Sequence, residues 1–184
     1  MQLVTRKFWS LPLPSVSLTP EAIMASIKPI QGWGTKDDYE HLYRHANMVR
    51  PYEYILELGS HIGKSAAVFL MGDCNNIILV DVWDGWVNSR GTFIDTFAEC
   101  KQNVGFNNRI VMIQGATSDL CTLQAVQEKT KNKQYGFLYV DGDHTYHGVC
   151  NDIRNYVLPL VPVGRFVAFH DYARDYPEII QAIN

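Results

Sequence analysis

The sequence predicts an α/β fold in which helices cover both faces of a doubly wound, mostly parallel β-sheet. Five short apolar segments alternate along the chain with segments whose apolar residues have helical spacing. The apolar segments are nearly uninterrupted, as expected for parallel strands that are buried on both faces. Such alternation implies right-handed crossover connections, and it places ligand sites beyond the carboxyl ends of the strands.

The first 36 residues are predicted to form an N-terminal extension or cap on a domain that spans residues 37–184. Within the extension, Thr19 is a candidate N-cap and Pro20 suits a first helical position. They predict a short helix that ends at Ile27, before the next proline. A second helix is predicted over residues 37–49, where apolar side chains are available for one face.

The rest of the chain alternates between strand and helix. Strands are predicted over residues 54–58, 76–81, 109–113, 135–140 and 165–169. Helices are predicted over residues 64–71, 92–104, 118–131, 146–157 and 177–183. Because the carboxyl ends of parallel strands meet at one edge of the sheet, the residues that follow each strand are the candidates for chemistry.

Composition narrows the class of protein. The 184 residues suffice for one domain with its own core, and a hydrophobic fraction of 47% is ordinary for a globular chain. The formal net charge of -3 gives no electrostatic argument for a nucleic-acid partner. No apolar run reaches the roughly 20 residues that span a bilayer, so no membrane partner is expected. The four cysteines are widely spaced, which favours free thiols in the cytoplasm over a zinc site.

A glycine-containing loop follows the first strand of the alternating series. A Walker A loop needs four residues between its glycines, but only three separate Gly59 from Gly63. A dinucleotide-binding fingerprint would need a glycine in place of His61. The pattern Glu-x-Gly-x-x-x-Gly fits without a gap from Glu57. Such a loop lets the backbone approach a ligand, although an ordinary strand-to-helix turn is the alternative.

Asp81 ends the second strand of the series, about 20 residues after the glycine loop, where a carboxylate can accept hydrogen bonds from a ribose. Trp83 and Trp86 follow, and they could stack on an adenine, line a substrate pocket or simply pack. Gly115 and Ala116 follow the third strand. Small residues there would let a nucleobase lie against the backbone, although a nearby helix N-cap explains the segment nearly as well.

The densest cluster of polar residues follows the fourth strand and contains Asp141, Asp143, His144 and His147. Two carboxylates and an imidazole at the mouth of a parallel sheet are hard to explain as packing. His144 is a candidate general base because imidazole titrates near neutral pH. His147 could form a metal-binding pair with it, but a histidine on a helix surface is the simpler interpretation.

His170 and Asp171 follow the fifth strand, next to the strand that ends at Asp141. The three residues bring carboxylate and imidazole groups to neighbouring strand ends. Oxygen-rich sites suit Mg²⁺ or a similar divalent cation, which water and substrate usually complete. The three side chains are therefore candidate ligands of such a metal.

Together, these strand-end residues resemble class I S-adenosylmethionine-dependent methyltransferases. More narrowly, they are similar to the methyltransferase domain 24 group and to metal-dependent sugar and macrolide O-methyltransferases. The matching stretches are residues 55–65, 79–83, 137–152 and 166–172, in this order. The stretch around Asp141 is more specific than the glycine loop. The resemblance implies a Rossmann-like methyltransferase fold and an S-adenosylmethionine cofactor.

The resemblance also implies roles for individual residues. Asp141, His170 and Asp171 would hold a divalent cation such as Mg²⁺. His144 would take the proton from the substrate hydroxyl, with Asp141 as the second catalytic residue, while the metal lowers the pKa of that hydroxyl. Asp81 would bind the ribose hydroxyls. The full set of implied cofactor contacts is Glu57, Gly59, Ser60, Gly63, Lys64, Ser65, Asp81, Val82, Trp83, Gly115, Ala116 and Asp141.

Two features depart from the family pattern. His170 stands where relatives carry an acidic ligand, which bears on the metal. The chain also stops at Asn184, before the last two strands of a complete fold of this class, so the sheet is expected to lack them. A sheet shortened in this way would expose an edge strand, which favours strand pairing or a homodimer.

The leading hypothesis is therefore methyl transfer from S-adenosylmethionine to a hydroxyl of a small molecule or sugar, with metal assistance. One alternative is a P-loop-like nucleotide-binding enzyme, which the length of the glycine loop disfavours. A second alternative is a truncated or degenerate methyltransferase-fold domain without catalysis.

Overall fold

The structure is a computed structural model of the chain. It describes residues 2–3, 18–105, 107–130, 135–160, 165–172 and 175–184. The strands, in chain order, are β1 (Gln2–Leu3), β2 (Tyr54–Leu58), β3 (Ile77–Asp81), β4 (Trp86–Val87), β5 (Phe93–Ile94), β6 (Ile110–Gln114), β7 (Tyr135–Val140) and β8 (Phe166–Phe169). The helices are α1 (Pro20–Ile27), α2 (Lys36–Ala46), α3 (Lys64–Leu70), α4 (Thr96–Val104), α5 (Leu120–Thr130), α6 (Tyr146–Asp152), a π-helix (Ile153–Val157), α7 (Leu158–Leu160) and α8 (Pro177–Ile183).

Six strands form the central sheet, in the order β1-β8-β7-β2-β3-β6. The five strands from β2 to β8 that belong to this sheet pair in parallel, and β1 pairs antiparallel with β8. The strand order reverses direction at β2, because β3 and β6 lie on one side of it and β7 and β8 on the other. The predicted doubly wound, mostly parallel α/β sheet is therefore confirmed.

Each face of the sheet buries its own apolar cluster. Side chains alternate between the two faces along a strand, so Ile55 packs in one cluster and its neighbour Leu56 in the other. Helices α1 to α4 cover the first face. Helices α5, α6 and α8 cover the second face together with the π-helix. The carboxyl ends of the parallel strands all lie at one edge of the sheet, between the two layers of helices.

The predicted N-terminal extension, residues 1–36, lies partly outside the described residues. Its described helix α1 begins as the sequence indicates, with the Thr19 hydroxyl accepting a hydrogen bond from the Ala22 N–H. Ile23 and Ile27 of α1 are fully buried against the first face of the sheet. In the described residues, no helix is both long enough and apolar enough to cross a membrane.

The segment before α4 differs from the prediction of a helix from residue 92. The structure instead contains a short hairpin, β4–β5, whose turn is closed by a hydrogen bond from the Gly91 N–H to the Asn88 carbonyl. Gly91 has a φ of 75°, which suits a turn and not a helix. The helix starts only after Asp95, whose carboxylate accepts a hydrogen bond from the Ala98 N–H.

The edge of the sheet also differs from the prediction. As expected, no strand follows β8 within the described residues. However, β8 is not left open, because Gln2 pairs with Phe169 and Leu3 with Ala168. The expectation of an exposed edge is therefore wrong at these two positions: the N-terminal strand supplies the backbone partner.

Candidate active site

A cavity of about 900 Å³ opens at the carboxyl ends of the parallel strands. Residues that follow each parallel strand line it, as expected for a doubly wound sheet. Further lining residues come from the connection between α1 and α2, which the sequence did not associate with a site. The predicted site residues found in the lining are Gly59, Ser60, Lys64, Ser65, Asp81, Val82, Gly115, Ala116, Asp141, His144, His170 and Asp171.

The glycine loop reaches the neighbouring strand end closely. A Cβ atom on Gly59 would lie 2.1 Å from the carbonyl oxygen of Asp141, so no side chain fits there. Both Gly59 and Gly63 have left-handed backbone conformations, with φ values of 88° and 81°. These two positions therefore need glycine, which explains why the pattern could be read from the sequence. Gly63 itself packs on Cys100 and Val104 and lies outside the cavity lining.

Glu57 lies directly beneath this loop and is fully buried. One of its oxygens, Oε1, accepts a hydrogen bond from the Ser65 hydroxyl. The other, Oε2, has no hydrogen-bond partner in the described part of the chain. Burial raises the pKa of Glu57 to about 8. Glu57 is thus mostly protonated at neutral pH, and it lies outside the cavity lining.

Asp81 fixes the geometry around the loop. Its Oδ2 accepts a hydrogen bond of 2.8 Å from the His61 N–H, and its Oδ1 accepts one of 2.8 Å from the Trp83 N–H. Both donors have positive φ angles, 46° for His61 and 43° for Trp83, which are uncommon for residues with side chains. One carboxylate therefore holds two strained residues in place, and strain of this kind concentrates at ligand sites.

The structure corrects one predicted cofactor contact. The Trp83 side chain is buried, packs edge-on against Phe97 and donates a hydrogen bond from Nε1 to the His61 carbonyl. It does not line the cavity, because this packing turns it into the core. Val82 does line the cavity and is 45% exposed. Of the two residues expected beside an adenine, only Val82 is available.

Gly115 and Ala116 also border the cavity, next to Thr117 and Ser118. A Cβ atom on Gly115 would lie 2.2 Å from the Thr122 hydroxyl oxygen, so the backbone here packs directly on α5. The wall beside Val82 is consequently made of small residues and backbone. The contact of a nucleobase with this wall stays a prediction.

Two carboxylates and two imidazoles meet at the ends of β7 and β8. His170 Nδ1 lies 3.2 Å from Asp141 Oδ1 and 3.0 Å from Asp171 Oδ2. His144 Nε2 lies 3.5 Å from the same two carboxylate oxygens. The predicted convergence of these four side chains is therefore seen in the structure. His147 borders the cavity but is not part of the group.

The charges in this cluster stabilise one another. Burial by itself would raise the pKa of Asp141, but the neighbouring imidazoles of His144 and His170 lower it overall. Burial opposes the charge on His170, yet Asp141 and Asp171 raise its pKa to about 9. Interaction with Asp141 is also the main cause that raises the pKa of His144. The Asp141 carboxylate is thus stabilised in its ionised form by the two imidazoles beside it.

The same residues fit a divalent metal ion. One ligand atom from each of Asp141, His144 and Asp171 can be chosen so that all lie within 4.8 Å of one another. His144 Nε2 and His170 Nδ1 are buried and make no hydrogen bond within the described residues. Two carboxylate oxygens with imidazole nitrogens are suitable donors for such an ion. Of the predicted ligands, Asp141 and Asp171 belong to this group and His170 does not, whereas His144, predicted as a general base, does.

Three aromatic residues at the cavity escaped the sequence analysis. Tyr39 packs under Lys64, whose Nζ lies 5.4 Å from the ring centroid. Tyr139 donates a hydrogen bond of 3.4 Å to Asp141 Oδ2. Tyr176 contacts the ring of His144 edge-on at 5.1 Å. Neither Tyr39 nor Tyr176 directly follows a strand, so only tertiary packing brings them to the site.

Solved structures of low sequence identity share this fold. One is CalS11, a TDP-rhamnose 3'-O-methyltransferase of calicheamicin biosynthesis, with 15% identity, a TM-score of 0.59 and coverage of 91% of this chain and 86% of that chain. A second is an O-methyltransferase from Bacillus cereus in complex with S-adenosylhomocysteine, with 14% identity, a TM-score of 0.59 and coverage of 89% and 76%. A third is cofactor-bound Rv0187 from MTB, with 13% identity, a TM-score of 0.61 and coverage of 92% and 78%.

Sequence comparison identifies the family more directly than these structures do. No curated protein matches the chain significantly. A family model described as a methyltransferase domain matches residues 56–172, which include every strand end that lines the cavity. The match spans more than half of the chain. The chain therefore belongs to the methyltransferase-domain family and is a class I S-adenosylmethionine-dependent methyltransferase.

Proposed function

We propose that this enzyme methylates a hydroxyl group of a small molecule, with a divalent cation bound beside the reacting oxygen. The observation that carries the proposal is the cluster of Asp141, His144, His170 and Asp171. It opens into the same cavity as the glycine loop and Asp81. Methyl donor and acceptor can therefore meet without either leaving the cavity, which is the positioning that a bimolecular transfer needs.

The donor is proposed to bind along the strand ends from β2 to β6. Asp81 would accept hydrogen bonds from the ribose hydroxyls, because its carboxylate borders the cavity at the loop. Val82 and the backbone at Gly115 would contact the adenine. Glu57 would face the cationic α-amino group of the methionine part through its unpartnered Oε2. The remaining proposed contacts are Gly59, Ser60, Gly63, Lys64, Ser65, Ala116 and Asp141.

His144 is proposed as the general base. It must lose its own proton before it can accept one from the acceptor hydroxyl, and the carboxylate of Asp141 then stabilises the imidazolium that forms. S-adenosylmethionine supplies the methyl group, and a divalent cation, when bound, lowers the pKa of the hydroxyl. Tyr176 packs against the His144 ring and would help to hold its orientation.

His144 cannot use Nε2 both to bind a metal and to accept a proton. We therefore assign the metal to Asp141, Asp171 and His170, whose Nδ1 lies closest to both carboxylates. This assignment leaves His144 free as the base. It predicts that His170→Ala weakens binding of Mn²⁺, measured by electron paramagnetic resonance, much more than His144→Ala does.

The acceptor is proposed to be a sugar or another small hydroxyl compound. CalS11, which shares the fold, acts on TDP-rhamnose, which makes sugar hydroxyls the first class to test. The formal charge of -3 supports a small-molecule partner over a nucleic acid. A cytoplasmic location and a homodimer remain proposals.

A transfer assay with a chelator tests the proposed function. Labelled S-adenosylmethionine is incubated with a panel of sugars and catechols, first with Mg²⁺ and then with excess EDTA. We expect methylation of at least one acceptor, its loss with EDTA and its recovery when Mg²⁺ is restored. Transfer that is insensitive to EDTA would contradict the proposed role of a divalent metal. Binding of S-adenosylhomocysteine without transfer to any hydroxyl would favour the non-catalytic alternative.

A further inference from the structure

Three aromatic rings from separate parts of the chain contact one another beside the cavity, which Trp33 and His61 line and Trp86 does not. Trp33 belongs to the connection between α1 and α2, His61 to the glycine loop and Trp86 to β4. The ring centroids of Trp33 and His61 are 5.6 Å apart, those of Trp33 and Trp86 6.0 Å, and those of His61 and Trp86 5.8 Å. Each ring thus contacts both others. We refer to these three residues as the aromatic rim.

The segment that carries Trp33 is held firmly against the body of the enzyme. The Gly34 N–H donates a hydrogen bond of 3.1 Å to the Tyr39 hydroxyl. A Cβ atom on Gly34 would lie 2.6 Å from the Tyr39 ring, and one on Gly32 would lie 2.8 Å from Cδ of Lys64. The glycines on both sides of Trp33 therefore let the backbone lie directly on α2 and on the first residue of α3. These contacts set the backbone position of the segment that carries Trp33.

The His61 part of the rim is equally constrained. Its N–H bonds to Asp81, its carbonyl accepts a hydrogen bond of 2.6 Å from Trp83 Nε1, and its backbone is left-handed. The aromatic rim is therefore connected by one hydrogen bond to the carboxylate proposed to bind the ribose. The cluster of Asp141, His144, His170 and Asp171 has other ring contacts, from Tyr176 to His144 and from Tyr139 to His170.

Trp33 is 70% exposed despite these constraints. Trp33 and His61 both line the cavity, so the exposed ring surface faces a space that a ligand can enter. A large aromatic side chain that is ordered but left in water gains contact energy only when a partner covers it. The exposed ring of Trp33 is therefore suited to contact a ligand that has a flat or apolar face beside Asp81.

We propose that Trp33 and His61, held in place by Trp86 packed against both rings, form an aromatic cover that contacts the adenosyl group of the cofactor. The inference rests on the proposed binding of S-adenosylmethionine at Asp81. It also assigns a role to Trp33, which lies outside the residues 56–172 that the family model matches. The cover acts on cofactor affinity and residence time. It has no part in proton removal, which belongs to His144.

The test measures S-adenosylhomocysteine binding by calorimetry for the wild type, Trp33→Ala, Trp33→Phe and Trp86→Ala. Loss of one stacking ring should raise Kd about tenfold, and Trp33→Phe should restore most of the affinity because it keeps an aromatic face. Stopped-flow displacement should show that the change lies mainly in the dissociation rate. Tyr52→Ala is the matched control, because Tyr52 is 58% exposed and does not line the cavity.

The outcomes separate this inference from the proposed function. If Trp33→Ala and Trp86→Ala bind S-adenosylhomocysteine as tightly as the wild type does, the proposed aromatic cover is wrong. That result would leave the cofactor assignment intact. If the wild type does not bind S-adenosylhomocysteine at all, the proposed function itself is contradicted. Melting curves of the variants check folding, and they should be unchanged for Trp33→Ala because its side chain is mostly in water.

Discussion

The proposed contact of Glu57 with the cofactor would link the protonation of this one side chain to cofactor binding. Its pKa is raised to about 8 by burial, so in the empty enzyme the carboxyl is mostly protonated at pH 7. A cationic amino group placed against its free oxygen favours the ionised form and lowers the pKa. Binding of the cofactor should therefore expel the proton. The sign follows from linkage: a group that holds fewer protons in the complex makes binding tighter as pH rises toward 8.

We accordingly predict that S-adenosylhomocysteine binding at pH 7 releases nearly one proton from the wild type. Calorimetry in buffers of different ionisation enthalpy measures this number. Glu57→Gln keeps the shape of the side chain but has no proton to release, so its binding should be insensitive to the buffer. Proton uptake by the wild type, or equal release by both proteins, would rule out the role given to Glu57.

Other residues of the site show which roles the sequence can predict. Asp141, His144, His170 and Asp171 could be predicted as a group because a parallel sheet brings all its strand ends together. The packing of Trp83 could not be predicted. Its side chain lies in the core and not in the cavity because Asp81 holds the backbone of Trp83 in a left-handed conformation. The same strand-end rule offered no signal for Trp33, which reaches the cavity from a distant connection.

At the scale of elements, predictions succeed where one strong signal decides. Strands β2 and β7 and helices α1 and α8 have the predicted bounds, since apolar runs or proline N-termini define them. The sequence predicts a helix from residue 92 and is wrong over β5, because a strand of two residues carries no clear period. The π-helix after α6 was also missed, as a single extra residue in a helical turn leaves no mark on apolar spacing.

The turn from β2 into α3 is the element on which the cofactor site depends most. We predict that Gly59→Ala lowers the melting temperature strongly and abolishes S-adenosylhomocysteine binding, because the new methyl group would overlap the Asp141 carbonyl. Gly91→Ala is the control for backbone strain. Gly91 also has a positive φ, but a Cβ atom there would have open space around it, so only the strain is introduced. That control should lose only about 1 kcal/mol of stability and bind normally.

Melting curves and calorimetry on the two glycine variants check this prediction. Equal destabilisation by both substitutions would mean that the close approach of the loop to Asp141 contributes nothing beyond the backbone conformation.

At the scale of the whole molecule, the N-terminal part is joined to the family domain on two sides. Strand β1 pairs with β8 at the edge of the sheet, and α1 buries Ile23 and Ile27 in the first core cluster. The connection that follows α1 then supplies part of the cavity wall. The division at residue 36 into extension and domain remains a prediction, but the described residues on both sides of it share one core.

Cofactor binding through Asp81, separate from proton removal by His144, is the central claim. Calorimetry with S-adenosylhomocysteine tests it on the wild type, Asp81→Ala, His144→Ala and Asp84→Ala. Asp84 is an exposed carboxylate only three residues from Asp81 and serves as the matched control. We predict that Asp81→Ala loses most of the affinity, whereas His144→Ala and Asp84→Ala retain it. No binding to the wild type, or equal losses in Asp81→Ala and His144→Ala, would contradict this account.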